Sequence, residues 1–139
     1  MAKKALSAIS EKMANLDICM MTTQNSSGAL SCRPMSNNGD VTYEGLSHFF
    51  TYEGSQKVKD ISVQPHVVLS FEGPEKLQLS VTGKATLIRS RSKMEPHWVK
   101  SLNQWFKDGL DTEGIVMIRV KAVRVRWWQG EKDGELKVK

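Results

Sequence analysis

Cysteine is scarce: Cys19 and Cys32 are the only two in 139 residues. Two thiols do not make a disulfide framework, so a reduced setting such as the cytoplasm is expected. The three histidines, His48, His66 and His97, show no metal-ligand spacing. No metal site is predicted, and the histidines read as structural or surface residues. Long apolar runs are missing too. Stretches such as Ile115 to Val120 are far too short for a bilayer, and no apolar segment follows Met1-Ala2-Lys3-Lys4-Ala5. Neither a membrane span nor a secretory signal is expected. No G-x-G-x-x-G follows a strand, which argues against a Rossmann-type nicotinamide site, and no Ser-His-Asp set or paired carboxylates are visible. Without repeats, low-complexity segments or linkers, residues 1–139 read as one domain, long enough to bury a core.

Positive charge is present in excess, at +5 with a pI near 9.3. It is scattered, from Lys3 and Lys4 through Arg89 and Arg91 to Lys137 and Lys139. An anionic cofactor or plain solubility accounts for it as well as a polynucleotide does.

Periodicity predicts helix, then short strands with one helix inserted, another helix, and a long strand. Ala5 to Ala14 spaces Ala5, Ile9 and Met13 along one helical face. Asp17 to Thr23 and Ala29 to Met35 read as the arms of a hairpin around Asn25-Ser26-Ser27-Gly28. Asn38-Gly39-Asp40 is a further turn signal, and Leu46 to Thr51 the next strand. After the Gly54 break, Ser55 is a natural N-cap for a short helix carrying Val58 and Ile61, which Pro65 stops. His66 to Phe71 and Leu77 to Arg89 read as strands, with Gly83 marking a bulge or close backbone approach. Arg91 to Lys107 reads as a helix with an apolar stripe of Trp98, Leu102, Trp105 and Phe106, ended by Asp108-Gly109. Ile115 to Trp128 is a long strand. Many short antiparallel strands in one chain favour a closed or partly closed barrel, mainly β with flanking helices.

Two segments carry the chemistry. Ser31-Cys32-Arg33-Pro34-Met35 ends a strand with a fixed cation, and Phe49-Phe50-Thr51-Tyr52-Glu53-Gly54-Ser55-Gln56-Lys57 runs from a strand through a Gly turn into a helix. Arginine offers a rigid fork of donors for phosphate oxygens, and lysine a mobile point charge. A helix start adds unpaired N–H groups. Together they predict a pocket for a phosphate monoester. Each residue has a plainer reading: Arg33 as a surface strand residue, Ser55 as a simple cap, Lys57 as a solvated helix residue, Trp98, Trp105 and Phe106 as core. Trp127 and Trp128 point to opposite faces of their strand, so one is core.

Met21-Thr22-Thr23, Arg33-Pro34-Met35, Phe49-Phe50-Thr51 and Ser55-x-Lys57, in that order and spacing, resemble the FMN-binding split-barrel family related to pyridoxamine-phosphate oxidase, in its general stress protein branch. The resemblance runs from the first helix to Gly130. It implies a six-stranded antiparallel split β-barrel, assembled as a homodimer with FMN between subunits. By the same resemblance, Arg33, Ser55 and Lys57 meet the FMN phosphate. Pro34, Met35, Phe50 and Thr51 lie against the isoalloxazine ring, Gln78 reaches a flavin from the long central strand, and Trp127 or Trp128 sits at the cofactor edge.

The chain departs from the oxidases themselves. Its end reads Arg126-Trp127-Trp128-Gln129-Gly130-Glu131, without the Arg-x-His type segment that grips a substrate phosphate. A vitamin B6 oxidase activity is therefore not expected. An FMN-dependent oxidoreductase with a transient reduced nicotinamide donor is the leading expectation. A flavin-binding module without turnover is the alternative. Deazaflavin or haem is a less favoured occupant. Nucleic-acid binding through Arg124, Arg126 and Trp127 is disfavoured, because aromatics do not interleave along that face.

Overall fold

Alternation of apolar and polar residues builds most of the molecule. The computed structural model describes residues 2–37 and 43–138; the Asn38-Gly39-Asp40 turn signal lies outside them. Helix α1 (Ala2–Met13) leads into strands β1 (Ile18–Gln24), β2 (Leu30–Ser36) and β3 (Leu46–Tyr52). Helix α2 (Gln56–Val63) follows, then strands β4 (His66–Glu72) and β5 (Leu77–Ile88). A short helix α3 (Arg91–Met94) and three 3-10 turns precede strands β6 (Ile115–Gln129) and β7 (Lys132–Lys137).

The strands form one antiparallel sheet in the order β2-β1-β4-β5-β6-β3. These are the six strands of the expected barrel. A seventh, β7, adds to the edge of β6 that β3 leaves free: β3 pairs with Ile115 to Lys121, and β7 with Arg124 to Gln129. Its sequence, Lys-Asp-Gly-Glu-Leu-Lys, carries no strand signal. It becomes a strand because Gly130, at φ +60°, reverses the chain beside an open ladder. Gly134 accommodates the Trp127 ring, which a Cβ there would strike.

The concave side holds the main core. Met21, Leu69, Phe71, Leu79, Val81, Val120 and Val125 fill it, and Ile9 and Met13 of α1 close one side. Each such side chain contributes about 1.5–3 kcal/mol on burial. Gly83 has the role its position suggests. The β5–β6 register shifts between Thr82 and Gly83, and a Cβ at Gly83 would stand 2.7 Å from the Lys121 carbonyl oxygen.

The long helix expected over Arg91 to Lys107 does not form. The α-helix stops at Met94, and 3-10 turns at Glu95–His97, Lys100–Gln104 and Gly109–Asp111 replace it. Pro96 is the reason: it lacks an N–H for the next helical bond and its ring crowds the carbonyl four residues back. The apolar stripe survives in part. Leu102 and Phe106 join Phe50, Ile88, Met94 and Met117 in a second cluster, while Trp105 stays 59% exposed. Cys19 and Cys32 do lie on neighbouring strands but are not partners: Cys19 pairs with Met35 and is buried, Cys32 pairs with Thr22 and is exposed. Burial pushes the Cys19 thiol up to about 12.

Candidate functional site

The sheet's two edge strands, β2 and β3, are not hydrogen-bonded to each other, yet both line one pocket of about 510 Å³. The barrel is open along this seam. Pro34 and Met35 come from β2, Phe50 and Thr51 from β3, and Lys57 from α2. Leu102, Trp105 and Phe106 form an aromatic and aliphatic wall from the 3-10 segment. Phe50 and Phe106 are further fixed by edge contacts with the Trp98 ring.

Beside Pro34 the chemistry turns polar. Arg33 shares the inward face of β2, so its guanidinium runs under β1 rather than into solvent. Its Nη1 donates to the Met21 carbonyl at 3.3 Å and to Thr23 Oγ1 at 2.7 Å. Thr23 Oγ1 in turn donates to Asp60 Oδ2 at 2.7 Å, and Gln56 Nε2 donates to Asp60 Oδ1 at 2.8 Å. Arg33 Nη2 stands 3.7 Å from the same carboxylate. Asp60 is 2% exposed. Burial works to raise its carboxyl, but the bonds from Gln56 and Thr23 and the charge of Arg33 prevail and hold it below the usual carboxylate range. A guanidinium has five N–H groups, so this anchoring leaves donors free.

Lys57 is the second cation. Its Nζ donates to Thr51 Oγ1 at 3.0 Å, and Thr51 in turn lies 3.5 Å from Ser55 Oγ. Burial and then repulsion from Arg33 lower the Lys57 pKa. Ser55 occupies the N-cap position of α2 but makes no side-chain cap bond. The first N–H groups of α2 are thus uncapped beside two cations and one carboxylate.

Of the residues singled out from the sequence, Pro34, Met35, Phe50, Thr51 and Lys57 line the pocket, with Arg33 and Ser55 adjoining it. Gln78, Trp127 and Trp128 lie on the β5–β6 side and do not line it. Gln78 pairs with Trp128 on the outer face, whereas Trp127 packs on the core beneath the Lys12 ammonium, 4.0 Å from its ring centre. Asp60, which orients Arg33, is not among the residues the sequence motifs single out. Its signal was an acidic side chain between Val58 and Ile61, where a buried helix face should be apolar. The aromatic wall was seen only as core packing.

His48 lies on the outside of β3, stacked on His97 with ring centres 3.5 Å apart. Arg119 Nε donates to its Nε2 at 3.2 Å. Burial, then His97 and Arg119, push its pKa down to about 4. Among the described residues no cluster of three or more metal-ligating side chains exists.

The model of the family described as pyridoxamine 5'-phosphate oxidase like matches residues 4–139. The chain belongs to that family. Among curated proteins no sequence matches. A solved Clostridium acetobutylicum protein related to general stress protein 26 superposes with a TM-score of 0.83 at 16% identity, covering 99% of this chain and 97% of that one. A pyridoxamine 5'-phosphate oxidase-related, FMN-binding protein from Nostoc punctiforme gives 0.66 at 16%, covering 96% and 87%. A haem-binding protein from Mycobacterium smegmatis gives 0.72 at 9%, covering 98% of this chain and 57% of that longer one. At such identities these likenesses establish the fold, the split barrel of the oxidase-like family.

Proposed function

We propose that this family member is an FMN-binding flavoprotein that works as an oxidoreductase on a substrate other than a vitamin B6 phosphate. The observation that carries the reading is the seam pocket itself: about 510 Å³, mostly apolar, with Lys57 in its wall and Arg33 adjoining it. Its volume is that of an ordinary cofactor site. Arg33 repels Lys57, and only Arg33 is paired with a carboxylate, that of Asp60, so a phosphate beside Lys57 would relieve a net positive charge. FMN supplies hydride or electron transfer at its ring when bound.

The chain's own residues do the holding. Arg33, Ser55, Lys57 and the start of α2 bind the phosphate, and Asp60 with Thr23 keeps the Arg33 fork oriented. Pro34, Met35, Phe50 and Thr51 face the ring, and Leu102 and Phe106 exclude water from it. A reduced nicotinamide is the donor we expect to dock transiently, in a cytoplasmic setting. No helix among the described residues is long and apolar enough to cross a membrane.

A homodimer completes this reading. On the outer face, the register sets Pro34, Met20, Ser70 and Ser80 in one row and Cys32, Thr22, Val68 and Thr82 in the next. All are uncharged, an unusual surface in a chain with this many charges. Gln78 and Trp128 share that outer face, where a partner would cover them.

Haem is the second reading, favoured by the likeness to a haem-binding protein. It requires an axial ligand, and of the usual donors the pocket wall offers the Met35 thioether and the Tyr52 phenol but no histidine or cysteine. Nucleic-acid binding is not the reading we favour: Arg124 pairs with Glu135 at 3.5 Å and Arg126 lies over the Trp128 ring, so part of that basic face is already engaged. A flavin module without turnover uses the same site. Reduction by a nicotinamide separates it from an enzyme.

The direct test is an absorption spectrum after adding FMN and desalting, with riboflavin and haem in parallel. Flavin bands that co-elute with FMN, and only weakly with riboflavin, support a phosphate-anchored flavin. Retention of haem alone overturns it.

A further inference from the structure

A second cavity, of about 240 Å³, adjoins the seam pocket and shares Ile18, Ser36 and Trp105 with it. The composition changes across that partition. Beyond the Trp105 ring the wall is made of Asn15, Asp17, Ser36, Ser101 and Gln104: amides, hydroxyls and one carboxylate, with no cation. The seam pocket, by contrast, is apolar with Lys57 at its end.

The polar wall has a fixed backbone. Asn15 takes a left-handed conformation, φ +67°, that turns α1 into β1. Asn37, just past β2, clamps this turn: its Nδ2 donates to the Leu16 carbonyl at 3.0 Å and its backbone N–H to the Asp17 carbonyl at 2.5 Å. The opposite wall is the Lys100–Gln104 turn, held to the second core cluster by Leu102. Asp17 makes no ion pair among the described residues. Among the described residues Asp17 is the one charged side chain in the wall, so an anion entering this cavity meets like charge there, whereas a cationic or neutral donor group meets several acceptors.

We propose that this cavity is a subsite for the amine, amidine or amide group of a small uncharged or cationic molecule, and that it rejects carboxylates and phosphates. The two cavities then sort ligands by charge at opposite ends, with Trp105 between them. That division provides a physical reason why the chain lacks a second phosphate grip. Use of the cavity by a substrate rests on the flavin reading; its charge preference does not.

An isosteric trio tests it: benzamidinium, benzamide and benzoate share a ring and differ in charge. Binding to the full chain is measured by saturation-transfer NMR and calorimetry, with and without saturating FMN, whose own binding is followed by its absorption bands. Benzamidinium and benzamide should bind in both states, and benzoate at least about tenfold more weakly than benzamidinium. Asp17→Asn should lower benzamidinium affinity about five- to tenfold and leave benzamide unchanged, as expected for one charge-assisted bond at a wet site. Asp17→Lys should abolish benzamidinium binding and admit benzoate. Equal binding of benzoate and benzamidinium, no response to Asp17→Lys, or no binding of any of the three at millimolar concentration overturns the proposal. Failure of FMN to bind while the trio still discriminates overturns the flavin reading alone.

Discussion

The two walls of the seam pocket are built by different physics. On the α2 side, directional bonds tie Arg33 to Thr23, Asp60 and Gln56 and, separately, Lys57 to Thr51, and Asp60 is almost wholly buried. On the other side, Leu102, Trp105 and Phe106 hang from short 3-10 turns and are placed by apolar contact. A hydrogen-bonded network demands particular donor and acceptor directions, whereas an apolar wall is set by shape and volume. The first wall suits a constant ligand group such as a phosphate. The second suits a flat apolar group.

The largest break in this contrast should come from removing both cations. Arg33→Ala with Lys57→Ala is expected to weaken FMN by about 10²–10⁴-fold, from two charge-assisted bonds of roughly 1.5–3 kcal/mol each. Riboflavin affinity should hardly move. Flavin fluorescence quenching measures both, and an unchanged FMN constant would end the phosphate-clamp idea.

Asp60→Ala comes next. It strands the Arg33 guanidinium and the Thr23 hydroxyl, and about 2–4 kcal/mol of stability should be lost in urea denaturation. Asp60→Asn keeps the shape and the acceptor for Thr23 and should cost less. If Asp60→Ala unfolds at the wild-type urea midpoint, the network is ornamental.

The aromatic wall should divide by burial. Phe106→Ala is expected to cost about 3 kcal/mol, as for a buried aromatic. Trp105→Ala should change stability by under about 0.5 kcal/mol, as at an exposed site, while weakening whatever ring occupies the pocket. Comparable destabilisation by the two would mean that Trp105 is core and not wall.

The smallest effect concerns the His48–His97 stack behind that wall. Folded His48 takes its proton only near pH 4, against 6.5 for an ordinary imidazole. The unfolded chain therefore binds that proton first, so the stack's contribution is complete above pH 6.5 and is lost as pH falls toward 4. His48→Phe preserves an aromatic contact and should flatten the dependence of the urea midpoint between pH 6.5 and 5. An unaltered slope would assign the acid sensitivity to other groups.

Much of this molecule was legible before its structure. Alternation located β1 to β6, Pro65 ended α2, and Gly83 marked the register shift, because each is a local rule about backbone and pleat. Helix 91–107 was misread because the stripe of Trp98, Leu102, Trp105 and Phe106 has helical spacing whether or not Pro96 permits a helix. β7 was invisible because charged residues became a strand only through the edge that β6 offered.

The family and the six strands are legible in short motifs and in alternation along the chain, and the same motifs single out Arg33 and Lys57 as candidates. The three-dimensional fold sets β2 and β3 facing each other across an open seam. It decided that Arg33 is tied to a buried Asp60, and that Trp128 rather than Trp127 shares the outer face with Gln78. The reason is distance along the chain. A motif records what neighbours in sequence must do, whereas a pocket is defined by residues that only the curl of the sheet brings together.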